Sequence, residues 1–278
     1  MEDDSMLPGR SIFRYMRLLV VFARFSLARE MAFRGNFVMK VLLELVWLLI
    51  LLVFYQTLFR GVDNISGWDR YSFLFFLGCY YTLEGAVETL FLENFVEFSE
   101  LVRSGNLDLQ LLKPIDEQFL LSFRLIDWST IPKLFIGSGM MGFSILQLGH
   151  PTSFFTIVIF LGMFLAGVGM AYSFLLMLSS TAIWMVRNQS LMELWWLFST
   201  LMRYPRDIYN VSWAWPIRIV FSFILPALLV VSVPAEVIGR EAIDPLWICW
   251  MGVSSLLSII FSRLIFRRSI ACYRSASS

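Results

Sequence analysis

Apolar runs of about twenty residues recur along the chain, and that length is what a helix needs to cross a hydrocarbon core about 30 Å thick. Residues 37–59, 71–92, 131–148 and 246–266 read as spanning helices. Another run starts near Ser153 and continues towards Met185, carrying Gly162, Gly167 and Gly169, small residues that let membrane helices approach. Residues 191–202 form a shorter run, ended by Arg203-Tyr204-Pro205-Arg206. A run over 215–233 is interrupted by Pro226 and ended by Pro234. Only 15% of the 278 residues are charged and 58% are hydrophobic. An ordinary globular domain is about 25% charged, so composition also places the chain in a bilayer. The expected fold is an all-α integral membrane bundle of six transmembrane helices over residues 37–266.

The cations orient it. The first forty residues carry Arg10, Arg14, Arg17, Arg24, Arg29, Arg34 and Lys40, and the C-terminal end carries Arg263, Arg267, Arg268 and Arg274. Arg60 and Arg70 are balanced by Asp63 and Asp69, and the turn at Gly149-His150-Pro151 has no fixed charge. The positive-inside rule then puts both termini in the cytoplasm, which requires an even number of crossings. Residues 1–9 are acidic and expected to be disordered, and residues 267–278 form a cytoplasmic tail. Over 10–36 the helical period gathers Arg10, Arg14, Arg17 and Arg24, with Phe13, Leu19, Val20, Phe22 and Leu27 set opposite. Such a helix lies in the headgroup layer with its arginines toward lipid phosphates. A soluble amphipathic helix is the alternative.

Lys40 and Glu44 fall near the inner end of the first span, and Glu84 and Glu88 near the inner end of the second. Matched depth predicts a Lys40–Glu88 pair. Ionisable residues at such depth face protein or water. Glu84, with Tyr81 on the same face, could line a translocation route or belong to a polar packing network; the second is the simpler reading. Residues 188–238 allow two arrangements. One is a short fifth span followed by a re-entrant hairpin over 206–238, broken at Pro226. The other is a surface helix over 188–212 and a span over 213–235. The aromatic segment Trp195, Trp196, Tyr204, Tyr209, Trp213 and Trp215 reads as an interfacial belt or an amphiphile-binding surface.

The longest mostly polar interval runs over 99–118, inside a segment expected to span 95–118. Gly105 can end a helix by taking positive φ, and Pro114 closes the segment. Leu107, Leu109, Leu111 and Leu112 give it one apolar edge beside Asp108, Gln110 and Lys113. This is a docking hook or an ordinary loop. Arg103, Gly105, Leu107, Asp108, Leu111, Leu112, Lys113 and Pro114 resemble a signature of bacterial ABC transporter permeases of the type-2 exporter class. In that class it reads Arg-x-Gly-x-Leu-Asp-x-x-Leu-Leu-(Arg or Lys)-Pro. The resemblance in membrane order covers nearly the whole chain apart from its first few residues.

The resemblance implies that this interval, with Glu100, is the cytoplasmic coupling helix between spans 2 and 3 that contacts an ATPase subunit. It favours the re-entrant arrangement before span 6. It also implies a bacterial plasma membrane protein acting with two ATPase subunits and a second permease subunit, identical or homologous. ATP and magnesium would be used by those partners, and this chain would bind no cofactor itself. Transport would be outward, with the cargo undefined.

Other chemistry finds little to work with. No Gly-x-x-x-x-Gly-Lys-(Ser/Thr) loop, dinucleotide fingerprint or Gly-x-Ser-x-Gly elbow occurs. His150 is the only histidine, and Cys79, Cys249 and Cys272 are too scattered for a metal site or a disulfide framework. A net charge of +1 gives no reason to expect nucleic acid. The rival classes are a membrane enzyme, a scaffold and a secondary transporter. An enzyme would have only Lys40, Glu84 and Glu88 as a polar cluster, and a secondary transporter would show an internal symmetry that the halves lack.

Overall fold

The computed structural model describes residues 8–149, 153–184, 191–211, 214–241 and 243–273. Apart from one hairpin of two-residue strands, β1 Asn64–Ile65 and β2 Trp68–Asp69, its regular elements are helices. Four of them are long and apolar enough to cross a membrane: α2 (Arg34–Leu58), α7 (Ile131–Leu148, with a preceding 3-10 turn from Trp128), α8 (Phe154–Ser180, continued by a 3-10 turn to Ile183) and α12 (Pro245–Cys272). A fifth crossing follows if α10 (Trp215–Ile219), its π-helical continuation to Ile224 and α11 (Ala227–Gly239) count as one span bent by 83°.

The other two expected spans are helical but differ from that type. The 12 residues of α9 (Leu191–Met202) reach only about 18 Å, too short to cross. Helix α3 (Arg70–Val87) carries Ser72, Tyr80, Tyr81, Thr82 and Glu84, yet most of its residues are buried. It packs most extensively against α7 and also against α11 and α8. A helix walled by protein need not present an apolar surface to lipid, which explains its polarity.

Two close approaches set this packing. On α3 and α7, Gly78 and Gly137 face each other, each with its missing Cβ about 2.9 Å from the other's carbonyl oxygen. On α11, Pro234 has no N–H for the carbonyl of Val230 four residues earlier. That carbonyl instead points at Gly167 of α8, where a Cβ would lie 2.5 Å away. Gly169 also sits at a contact, with Ile259 of α12, but Gly162 has no neighbour there. Pro234 therefore does not end its run: α11 continues to Gly239.

The bent pair breaks at Leu225 and Pro226. Both its outer ends return to one short segment. Arg218 donates to Asn210 at 2.6 Å, and Arg240 pairs with Asp207 at 2.6 Å while lying over the Trp68 ring of β2. Arg206 is paired with Glu236 at 2.8 Å and stacked on Trp247 at 4.1 Å. The aromatic belt is only partly a surface: Trp196 and Trp215 are exposed, whereas Trp195 is buried beside Phe198.

Several boundaries move. Helix α1 (Pro8–Ala32) begins within the interval expected to be disordered, whose residues 1–7 lie outside the described residues. It ends at Ala32 rather than at 36, because Phe33 leaves helical geometry at φ −116° and ψ 56° before α2 begins. At the other end, the expected tail from Arg267 continues α12 as far as Cys272. His150, Pro151, Arg187-Asn188-Gln189, Trp213 and Arg274 lie outside the described residues.

Candidate functional site

From Arg70 the chain is helical without a break to Ser104, through α3, a π-helical turn (Glu88–Leu92) and α4 (Glu93–Ser104). Gly105 ends it with φ +73°, a left-handed conformation that costs a residue with a side chain. The chain turns at Asn106 into α5 (Leu107–Leu111), and Pro114 prevents its continuation. Asp116 then caps α6 (Glu117–Phe123) by accepting from the Phe119 N–H at 2.9 Å. The result is a hook.

The hook's leucines do not share one edge. Residues four apart lie on one side of a helix, so Leu107 is fully buried and Leu111 packs beside it against the core. Leu109 and Leu112, three apart, face outward at 63% and 81% exposure. Arg103 grips Glu100 with two bonds of 2.9 and 2.7 Å on the exposed surface, which draws the Glu100 carboxyl below its usual range. Lys113 donates to Gln110 at 2.6 Å. Burial, and then the neighbouring Asp108 carboxylate, raises the Tyr273 hydroxyl above its ordinary value. Tyr273, just past the end of α12, packs against the same buried cluster as Leu107 of the hook.

Helix α1 is strapped along the hook's return limb. Arg14 donates to the Pro114 carbonyl at 2.6 Å, and Tyr15 meets Phe119 edge-on at 4.6 Å. Further along, Ser26 accepts from the Ile126 N–H at 3.1 Å, and the Trp128 indole donates to the Ala23 carbonyl at 3.1 Å. Glu30 accepts from the Trp128 N–H at 2.8 Å, and Arg29 pairs with Glu93 at 2.6 Å. Burial pushes the Glu30 carboxyl above its usual range, and the Trp128 N–H draws it partly back. The arginines expected at the membrane surface thus divide. Arg14 is bonded to the hook, Arg17 and Arg24 stay exposed, and the Arg10 side chain lies outside the described residues. The apolar face divides too, with Leu19 and Phe22 half-buried and Phe13, Val20 and Leu27 exposed.

Above the hook lies a buried ionic centre, and its cation is not the expected one. Lys133, from the first turn of α7, lies 2.7 Å from Glu84, 3.0 Å from Glu88 and 3.8 Å from Glu44. Its ammonium also sits 5.4 Å from the centre of the Tyr81 ring. The expected Lys40–Glu88 pair is not formed: Lys40 pairs with Asp127 at 3.3 Å. Equal depth selects a layer but not an azimuth around the bundle, and Lys133 shares that layer. Glu84 also accepts from Tyr80 at 2.6 Å, and Arg203 at the end of α9 donates to Tyr80 at 3.2 Å. Helices α2, α3, α7 and α9 are thereby joined through one polar network. Asn94 of α4 adds a clasp, accepting from the Leu125 N–H at 2.8 Å and donating to the Leu125 carbonyl at 2.7 Å. Sequence reasoning missed Lys133, Arg203, Tyr80 and Asn94. Of these only Lys133 carried a signal, being the one cation at the start of its apolar run.

A family model described as ABC-2 family transporter protein matches residues 45–277, which include the hook and most of the ionic centre. The chain belongs to the ABC-2 transporter family. Neither a curated protein nor a solved structure matches it. As an ABC-2 permease it is a membrane-embedded component of an ABC transporter, a family that lacks ATPase motifs and works with ABC ATPase subunits. Helix α1, Lys40 and Glu44 precede the matched residues, so the family match does not extend to the strap.

Proposed function

We propose that this ABC-2 permease is the transmembrane subunit of an exporter, and that separate ATPase subunits drive it through residues 99–118. One observation carries this reading. Exposed Leu109 and Leu112 sit just past the end of a helix that runs unbroken from Arg70 to Ser104, about 50 Å at 1.5 Å per residue. A push at the hook would pass the Gly105–Asn106 turn, which buried Leu107 pins to the core, and then reach Glu84, Glu88 and the Gly78 contact along one continuous helix. Such a push shifts the permease between states only as far as the ATPase contacts differ between them.

The arrangement also supports the cytoplasmic sidedness of the hook. Arg14 near one end of the chain and Tyr273 near the other both meet it, so both ends share its side of the bundle. The cation-rich termini would then place that side inside the cell. Six crossings satisfy this if α9, too short alone, is completed by the segment that follows it through Tyr209, with the bent pair as a re-entrant hairpin. Glu84 and Glu88 are engaged by Lys133, which supports a packing role for them. The route is therefore assigned to the boundary with a second permease subunit, identical or homologous.

The experiment is reconstitution with the Walker-type ATPase that co-purifies with the chain. Leu112→Asp is expected to lower transport-coupled ATPase activity about tenfold, the cost of spoiling one good apolar interface contact. Insertion and thermal unfolding should be unchanged, because Leu112 is 81% exposed. Unaltered coupled activity, or no co-purifying ATPase, would overturn the assignment.

A further inference from the structure

At the Phe33 elbow between α1 and α2 lies a half-open cavity of about 260 Å³, lined by residues that include Arg29, Glu30, Phe33, Asn36, Lys40 and Glu93. Its polar groups are incompletely used. One Glu30 oxygen, Oε1, accepts from the Trp128 N–H, while the other, Oε2, is buried without a hydrogen-bond partner. A buried carboxylate oxygen left unpaired is costly, so a donor arriving there is favoured. The two cations keep capacity to spare. The Arg29 and Lys40 side chains are 38% and 45% exposed, and the Lys40 bond to Asp127 is long at 3.3 Å.

We propose that this cavity holds the headgroup of an aminophospholipid, with its phosphate toward Arg29 and Lys40 and its primary ammonium toward Oε2 of Glu30. The acyl chains would lie along the exposed flank of α2, where Met39, Leu42 and Leu43 are uncovered beside Phe33. The charge pattern selects the zwitterion. Glu30 and Glu93 balance Arg29 and Lys40 in the lining, so an anionic headgroup alone meets no net attraction and leaves Oε2 unpaired. A choline headgroup has the charge but no N–H to donate. An ethanolamine headgroup supplies both a charge-assisted donor and the phosphate. The inference rests on α1 lying along the membrane face and does not depend on ATPase coupling.

The test is native mass spectrometry of the full-length protein extracted from membranes with equal phosphatidylethanolamine, phosphatidylcholine and phosphatidylglycerol. Wild type should retain phosphatidylethanolamine preferentially. Glu30→Gln keeps an acceptor for Trp128 but loses the charge, and should cut the ethanolamine-to-choline ratio about tenfold. Asn36→Trp fills the cavity without touching the Glu30–Trp128 bond, and should abolish retention. Equal retention of the three lipids by wild type, or an unchanged ratio in Glu30→Gln, overturns the proposal. Displacement of bound lipid by inorganic phosphate or soluble glycerophosphoethanolamine at comparable concentration would assign the site to a free ligand and overturn the lipid. Photo-crosslinking from benzoylphenylalanine at position 33 should capture lipid. Failure to do so overturns the membrane placement of α1, while coupled ATPase activity reports on the hook separately.

Discussion

Replacing Lys133 with methionine is expected to destabilise the permease by about 3–5 kcal/mol, the cost of breaking a buried ion pair by removing one partner. Lys133 is 6% exposed and lies within ion-pairing distance of Glu44, Glu84 and Glu88, from two other helices. Methionine fills nearly the same volume, so packing is kept and the charge is what changes. The three carboxylates would then face one another with no cation among them. Thermal unfolding in nanodiscs reads the loss directly. Lys40→Met is the contrasting variant: its pair with Asp127 is long and the lysine is 45% exposed, so the loss should be about 1 kcal/mol or less. Adding Glu44→Gln, Glu84→Gln and Glu88→Gln to Lys133→Met should restore much of the stability, since buried ionic clusters can be exchanged for neutral ones at little net cost. A Lys133→Met protein that melts with wild type would remove the ionic centre from the account of how the helices are held.

The second large effect belongs to Gly137→Val. A Cβ at this position would lie 2.4 Å from Oγ1 of Thr82, 2.6 Å from the Thr82 nitrogen and 2.9 Å from the Gly78 oxygen. Two of these atoms are backbone, so no rotamer change relieves the contact and α3 must move away from α7. Overpacking of this kind costs about 1–3 kcal/mol or more. In lipid, where helices associate through close packing rather than hydrophobic expulsion, lost contact is not readily replaced. Gly139 provides the control two residues along the same helix, with nothing within 4 Å of its would-be Cβ. Gly139→Ala should be neutral or stabilising by up to about 1 kcal/mol, from helix propensity. Equal melting temperatures for Gly137→Val and wild type would show that α3 and α7 can separate freely.

What the sequence made legible was whatever depends on local chemistry. Gly105, Pro114 and Pro226 mark breaks because their backbone restrictions act without neighbours, and the long apolar runs appear as helices near their expected limits. What depends on azimuth was hidden. The carboxylates of the ionic centre were found by depth, but depth could not decide between Lys40 and Lys133. The hook's leucines read as a continuous ridge because they are close in sequence, but the helical period sends Leu107 and Leu111 inward and Leu109 and Leu112 outward. Helix α1 reads as a membrane-surface helix because its arginines are conspicuous. Its attachment to the rest of the chain runs through Arg14 and Tyr15 at the hook and through Ala23, Ser26 and Glu30 at Ile126 and Trp128, and the last three carry no comparable signal.

Helix α2 is held to the bundle very unevenly. Tyr55 is its only buried residue; its hydroxyl bonds to the Arg70 carbonyl at one end, and Lys40 and Glu44 reach Asp127 and Lys133 at the other. Between these latches only a thin seam through Leu48 and Leu51 leans on the core. Water gains nothing from keeping such a helix in place inside a bilayer. Its resting position is therefore decided by a few polar bonds near its two tips, and swinging it sideways means undoing bolts rather than tearing open a wall.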